Sequence, residues 1–167
     1  SPAFLSSVFE NWESEFLQMA AYVVLTAILI QRGSSESKDP DAPPRDRDLA
    51  SQGREPGAPR ALRAGRLARA LYARSLGIVL ALLFLLSFVL HWTHSAQAAA
   101  EEAIEHGEAA PSAIAYLASP QLWFESFQNW QSEFLSTAVL VVLSIFLRQR
   151  ESPESKPVAA PHAQTGE

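Results

Sequence analysis

At 167 residues, 48% hydrophobic and with a formal net charge of −5, the chain has the length of a single domain. It holds no cysteine, which excludes a disulfide framework, a thiolate metal site and a cysteine nucleophile. An ordinary soluble domain is excluded by distribution: apolar residues concentrate in three blocks, 16–30, 76–90 and 134–147, with almost no polar stripe at the helical period.

In chain order, residues 1–32 read as an outer interfacial segment followed by transmembrane helix A. Ser1 is a sound N-cap and Pro2 suits the first helical position. The string Phe9-Glu10-Asn11-Trp12-Glu13-Ser14-Glu15-Phe16-Leu17 then opens into an apolar run. After Glu15 that run has fifteen residues, about 22 Å, which is short of a ~30 Å hydrocarbon core. To span, the helix must draw its preceding turn towards the membrane, with Trp12 at headgroup level and Glu15 one turn deeper.

Residues 33–60 are polar, charged and rich in Pro and Gly, and predict a disordered cytoplasmic linker. Residues 61–92 hold a basic amphipathic stretch and then transmembrane helix B. Arg60, Arg63, Arg66, Arg69 and Arg74 alternate with Leu62, Leu67 and Leu71, which predicts one amphipathic helix drawn to anionic lipid. The run is short, continuous with a membrane helix and without a recognisable binding module, so nucleic acid is not the expected partner. Residues 76–92 carry no charge unless His91 is protonated and, with 71–75, are long enough to span a bilayer. Residues 93–118 predict an outer-face helical loop: an Ala-rich helix over 96–106, Gly107 as its stop, and one or two turns more over 111–117.

Residues 119–150 repeat the opening. Held at an offset of 118, residues 1–38 and 119–156 match at 20 of 38 positions, an internal duplication. Ser119-Pro120 repeats Ser1-Pro2, and Asn129-Trp130-Gln131-Ser132-Glu133-Phe134-Leu135 repeats the Asn-Trp motif, again before an outer interfacial segment turns into a membrane helix, C. Because a helix and a loop precede the second copy and nothing precedes the first, a fourth helix is expected in a longer form, giving a parallel repeat. Residues 151–167 predict a disordered cytoplasmic tail.

The charges are segregated. All thirteen Lys and Arg lie within 32–74 or 148–156, while 1–31 and 75–147 carry nine Glu and three of the four His. The positive-inside rule then puts the linker and C-terminus in the cytoplasm, and the N-terminus of the chain with the 93–131 loop outside. Trp12, Trp92, Trp123 and Trp130 all fall at the outer boundary, as interfacial anchors should.

Two groups of polar residues invite a functional reading. Asn11, Ser14 and Glu15, with Asn129, Ser132 and Glu133, form equivalent polar sets at the outer membrane boundary. Either the two Glu face each other to bind a proton, a cation or a partner's polar group, or each marks the start of its helix and stays hydrated. His91, His94, Glu102 and His106 have spacings that can put two ligands on one helix face, yet nothing in the sequence forces them together. No metal, haem or other cofactor is expected. Nucleophile elbow, phosphate-binding loop and zinc-protease motif are all missing, so no enzyme is expected either.

The string from Phe124 to Leu135, followed by Arg148-Gln149 and Ser152-Pro153-Glu154-Ser155-Lys156-Pro157, resembles an uncharacterised family of bacterial integral membrane proteins known as a domain of unknown function. The similarity takes in 9–17, 31–39 and Glu105-His106-Gly107 as well. The resemblance implies a four-helix, internally duplicated bacterial integral membrane protein, and it brings no activity; with the charge map, the inner membrane is the expected location. The expectation is therefore an all-α, multi-pass membrane protein with three transmembrane helices in this chain and interfacial outer helices. Its expected role is a structural or accessory subunit or helix-packing scaffold, in a homo-oligomer or larger membrane complex. The alternative is a small ion- or proton-coupled transporter or channel using Glu15 and Glu133.

Overall fold

The computed structural model describes residues 1–43, 46 and 48–166, and among these every element is helical and no strand occurs. The order is α1 (Pro2–Ile28), α2 (Leu49–Gln52), a 3-10 turn (Arg60–Leu62), α3 (Arg66–Tyr72), α4 (Ser75–Glu105), α5 (Ala113–Leu117) and α6 (Pro120–Phe146).

The duplicated sequence builds the same object twice. Ser1 Oγ accepts from the Phe4 N–H and Ser119 Oγ from the Leu122 N–H, with Pro in the first turn of each helix. α1 and α6 each run 27 residues and end at equivalent leucines, Leu29 and Leu147, which leave in extended conformation. Beyond them, Ser37 Oγ accepts from the Gln31 N–H and Ser155 Oγ from the Gln149 N–H, both at 3.0 Å. The repeated Ser-x-Glu-Ser-Lys string is thus a turn that closes each helix. Lys38 Nζ donates to the Ala27 carbonyl at 2.8 Å, a cation at a helix C-terminus.

Its equivalent Lys156 crosses between the copies instead. Its buried ammonium donates to the carbonyls of Gly33, His162 and Gln164 at 2.6, 2.8 and 3.0 Å. The Gly166 N–H also donates to the Ser34 carbonyl at 2.9 Å. Composition predicts disorder on both sides of this contact. The structure has hydrogen-bonded turns there, because Ser and Lys side chains supply donors that loose backbone carbonyls need.

α1 runs antiparallel to α4: Ser6 Oγ meets Ser95 Oγ at 2.5 Å near one end, and Val24 packs on Gly77 near the other. α1 runs parallel to α6, with Glu10 bonded to Asn129 and Gln18 to Thr137, partners 119 residues apart in both cases. The two copies therefore lie side by side almost in their own repeat register. α5 folds back to pack Tyr116 with Ala96 of α4 and Leu122 of α6.

Two expectations meet a different outcome. The basic stretch is not one helix: Gly65 adopts φ +113°, a region open only to glycine, and splits the 3-10 turn from α3. The outer Ala-rich helix is not separate, since nothing breaks the chain after Trp92 and α4 continues to Glu105. Gly107, at φ +73°, then ends it as expected. Of the three expected spans, among the described residues only α4 is long and apolar enough to cross a membrane. α1 and α6 have the length, but their first halves hold Glu10, Glu13 and Glu15 or Glu125 and Glu133 inside the helix.

Candidate functional site

Glu10 and Glu13 stand three residues apart on α1, so they share a face. Close approach of α1 to α4 at Ser6 and Ser95 turns that face towards His91. Glu13 Oε2 lies 2.8 Å from His91 Nδ1, and neither side chain is exposed. The other Glu13 oxygen accepts from Trp130 Nε1 of α6 at 2.9 Å. On the far side of the ring, His91 Nε2 lies 3.3 Å from Glu125 Oε2 of α6. A carboxylate can only accept, so a proton on Nδ1 is placed to be donated to Glu13 and one on Nε2 to Glu125.

Amides and hydroxyls aim the two outer carboxylates. Glu125 Oε1 accepts from Gln121 Nε2 at 2.6 Å, and its Oε2 lies 3.5 Å from Ser95 Oγ. Glu10 Oε1 accepts from Asn129 Nδ2. Beside them opens a cavity of about 340 Å³ whose lining includes Ser6, Glu10, Ser95, Tyr116, Gln121 and Glu125. Burial first, and then the Glu125 charge, push the Tyr116 phenol above its ordinary value. No Lys or Arg lies in α1, α4 or α6, the helices that bring the three Glu and one His together. Glu10, His91 and Glu125 each offer one ligand atom, all within 4.8 Å of one another.

The expected polar sets do not converge in this way. Glu15 is exposed, and no hydrogen bond or ion pair joins it to Glu133, whose backbone carbonyl accepts from Gln18 instead. Asn11 and Ser14 bond locally, Asn11 Nδ2 to the Ser7 carbonyl and Ser14 Oγ to the Asn11 carbonyl. Ser132 is exposed. Of the six, Asn129 alone reaches the cluster. The His91, His94, Glu102 and His106 grouping also comes apart. His94 stacks on Phe9, with centroids 5.7 Å apart, and His106 Nδ1 turns back to the Glu102 carbonyl of its own helix. His91 takes other partners.

The tryptophans divide. Trp12 is half exposed, whereas Trp92, Trp123 and Trp130 donate their indole N–H to the Ala113 carbonyl, the Leu117 carbonyl and Glu13. Among the basic residues, Arg63 donates to the Gly53 and Glu55 carbonyls and Arg69 to the Leu62 carbonyl, tying down the segment before α4. Arg74 reaches the Ala70 carbonyl, and Arg60 and Arg66 are exposed.

Glu13, Glu10 and Glu125 are the residues that sequence reasoning missed. A signal was there. The second copy has Gln128 where the first has Glu10, Gln131 where it has Glu13, and the first has Ser7 where the second has Glu125. All three carboxylates stand at positions at which the two copies differ.

Helices alone among the described residues, one of them long and apolar enough to cross a membrane, and a carboxylate–imidazole cluster between three of them define a class, not an activity. The chain belongs to the family described as a domain of unknown function (DUF6766), whose model matches residues 1–167. Among curated proteins and among solved structures, none matches it.

Proposed function

We propose that the chain is a multi-pass protein of the bacterial inner membrane, a structural or accessory subunit that packs helices within a homo-oligomer or a larger membrane complex. One observation carries the membrane reading: the inside and outside are inverted relative to a water-soluble domain. Among the described residues the buried set holds four hydrophobic residues and eleven polar or charged ones. Outward, α4 leaves Leu76, Leu82, Leu85 and Leu86 more than half exposed. Water would penalise that surface heavily, whereas lipid would not. Small and hydroxylated residues at the α1–α4 contact, Ser6, Ser95 and Gly77, are what helices use to approach closely in a bilayer.

In this reading α4 spans, and α1 and α6 cross beside it as a parallel pair. The segregated charges support an outside N-terminus and a cytoplasmic Arg60–Arg74 segment against anionic lipid. Polar residues between the helices hold them in register.

The missing cysteines make the test clean. Single substitutions Glu108→Cys, Asp41→Cys and Glu154→Cys are probed with a membrane-impermeant maleimide in cells with a permeabilised outer membrane. Labelling of Glu108→Cys alone is expected, with the other two reacting only after the inner membrane is opened. Equal labelling of all three, or release of the chain by alkaline carbonate, overturns the topology. The accessory role predicts a species larger than one copy in mild detergent, and a monomer overturns it.

A further inference from the structure

Glu10, His91 and Glu125 come from three different helices, and each is aimed from behind by a group that is not itself a ligand. Asn129 fixes Glu10, Gln121 fixes Glu125, and Glu13, itself held by Trp130, fixes His91. We propose that this cluster binds one divalent first-row transition ion of the zinc or manganese type, with His91 Nε2 and the Glu10 and Glu125 carboxylates as ligands. Glu13 is the positioning residue.

The placement of the imidazole points to a ligand. His91 is fully buried, and its two ring nitrogens face two carboxylates, Glu13 at 2.8 Å and Glu125 at 3.3 Å, with Glu10 beside them. No Lys or Arg of α1, α4 or α6 stands against these three carboxylates. A divalent ion held by His91 Nε2, Glu10 and Glu125 would supply the charge that those helices lack.

Distance and donor type agree with this. The 3.3 Å between His91 Nε2 and Glu125 Oε2 is the edge of a tetrahedron with bonds of ~2.0 Å, the length expected for zinc with nitrogen and oxygen donors. Glu10 completes three ligand atoms within 4.8 Å, and it is half-buried, so its carboxylate has freedom to close in. The adjoining cavity leaves room for a water in an open coordination position. One imidazole with two carboxylates suits zinc, manganese or ferrous iron, while magnesium and calcium favour all-oxygen sets and cuprous copper favours sulfur. A carboxylate behind a ligating His is a recurrent way of fixing its tautomer and raising its basicity. The site does not depend on whether α4 spans a bilayer.

The test uses the full chain in detergent, stripped by chelator, with Zn²⁺ followed by calorimetry, Mn²⁺ by electron paramagnetic resonance and Co²⁺ by visible absorption. One ion per chain is expected. Glu125→Gln and Glu10→Gln each remove a ligand and should weaken binding at least tenfold. Both variants are mild: Glu125 is partly exposed, and Gln already stands at position 128, the repeat equivalent of Glu10. Glu13→Gln should keep one ion per chain, weaken it by about 10–100-fold and shift the Co²⁺ spectrum. His106→Ala should change nothing. Failure of the wild-type chain to take up Zn²⁺ or Mn²⁺ overturns the proposal, whatever the variants do. So does uptake indifferent to Glu125→Gln, or uptake abolished by His106→Ala.

Discussion

Glu13 of α1 and His91 of α4 hold each other at 2.8 Å with neither side chain exposed, and Trp130 of α6 donates to the same carboxylate. A pair like this costs little while intact and much when halved, because the survivor stays buried without its partner. Glu13→Ala should therefore destabilise the fold by about 3–5 kcal/mol. Glu13→Gln keeps an oxygen for either donor and should cost less than half as much. Thermal unfolding in detergent, followed by helix content, separates the two.

The other end of the α1–α4 contact depends on size. A Cβ at Gly77 would come 3.3 Å from Val24 Cγ2, closer than side chains ordinarily sit. Val24 is 47% exposed and can yield, so Gly77→Ala should be nearly neutral, its better helix propensity offsetting the crowding. Gly77→Leu should cost about 1–3 kcal/mol by overpacking. Adding Val24→Ala should recover much of that loss, and a double variant no better than Gly77→Leu alone would show that the two residues do not meet.

Lys156 joins the copies at the opposite end, its ammonium shared among three carbonyls. Lys156→Met keeps the apolar stem but leaves those acceptors without a donor, at about 1–3 kcal/mol for each one that stays buried. Amide exchange at Gly33, which donates to Thr165, and at Gly166, which donates to Ser34, should quicken by roughly ten- to a hundredfold. Exchange in the first turns of α1 should stay as it was.

Asp48 caps α2 and gives a local pH dependence. The Ser51 N–H first, then the Ser51 hydroxyl and the Ala50 N–H, hold its carboxyl below the usual range. A depressed folded value means that the cap's contribution is complete above the unfolded value of about 3.9 and fades as pH falls through the lower folded value. Amide shifts of Ala50 and Ser51 should move together in that acid window and stay flat from there to neutrality. Asp48→Asn keeps an N-cap acceptor and should abolish the transition.

What the sequence determined by itself is local or one-dimensional: the apolar blocks, the charge segregation, the duplication, and the Ser-Pro starts and Gly107 stop that depend only on near neighbours. Ser1 and Ser119 cap their helices in the structure as their positions predict. The length of the apolar run spoke to depth, and depth alone made Glu15 and Glu133 look like the meeting pair. Which carboxylates meet is a question of rotation about the helix axis. At 3.6 residues per turn, two residues are about 200° apart, so when Glu13 is turned inward, Glu15 faces out. That rotation comes from the close contacts at Ser6 with Ser95 and at Val24 with Gly77, and from an α1–α6 register set at 119 rather than 118. These are contacts between distant segments, and only the tertiary structure decided them.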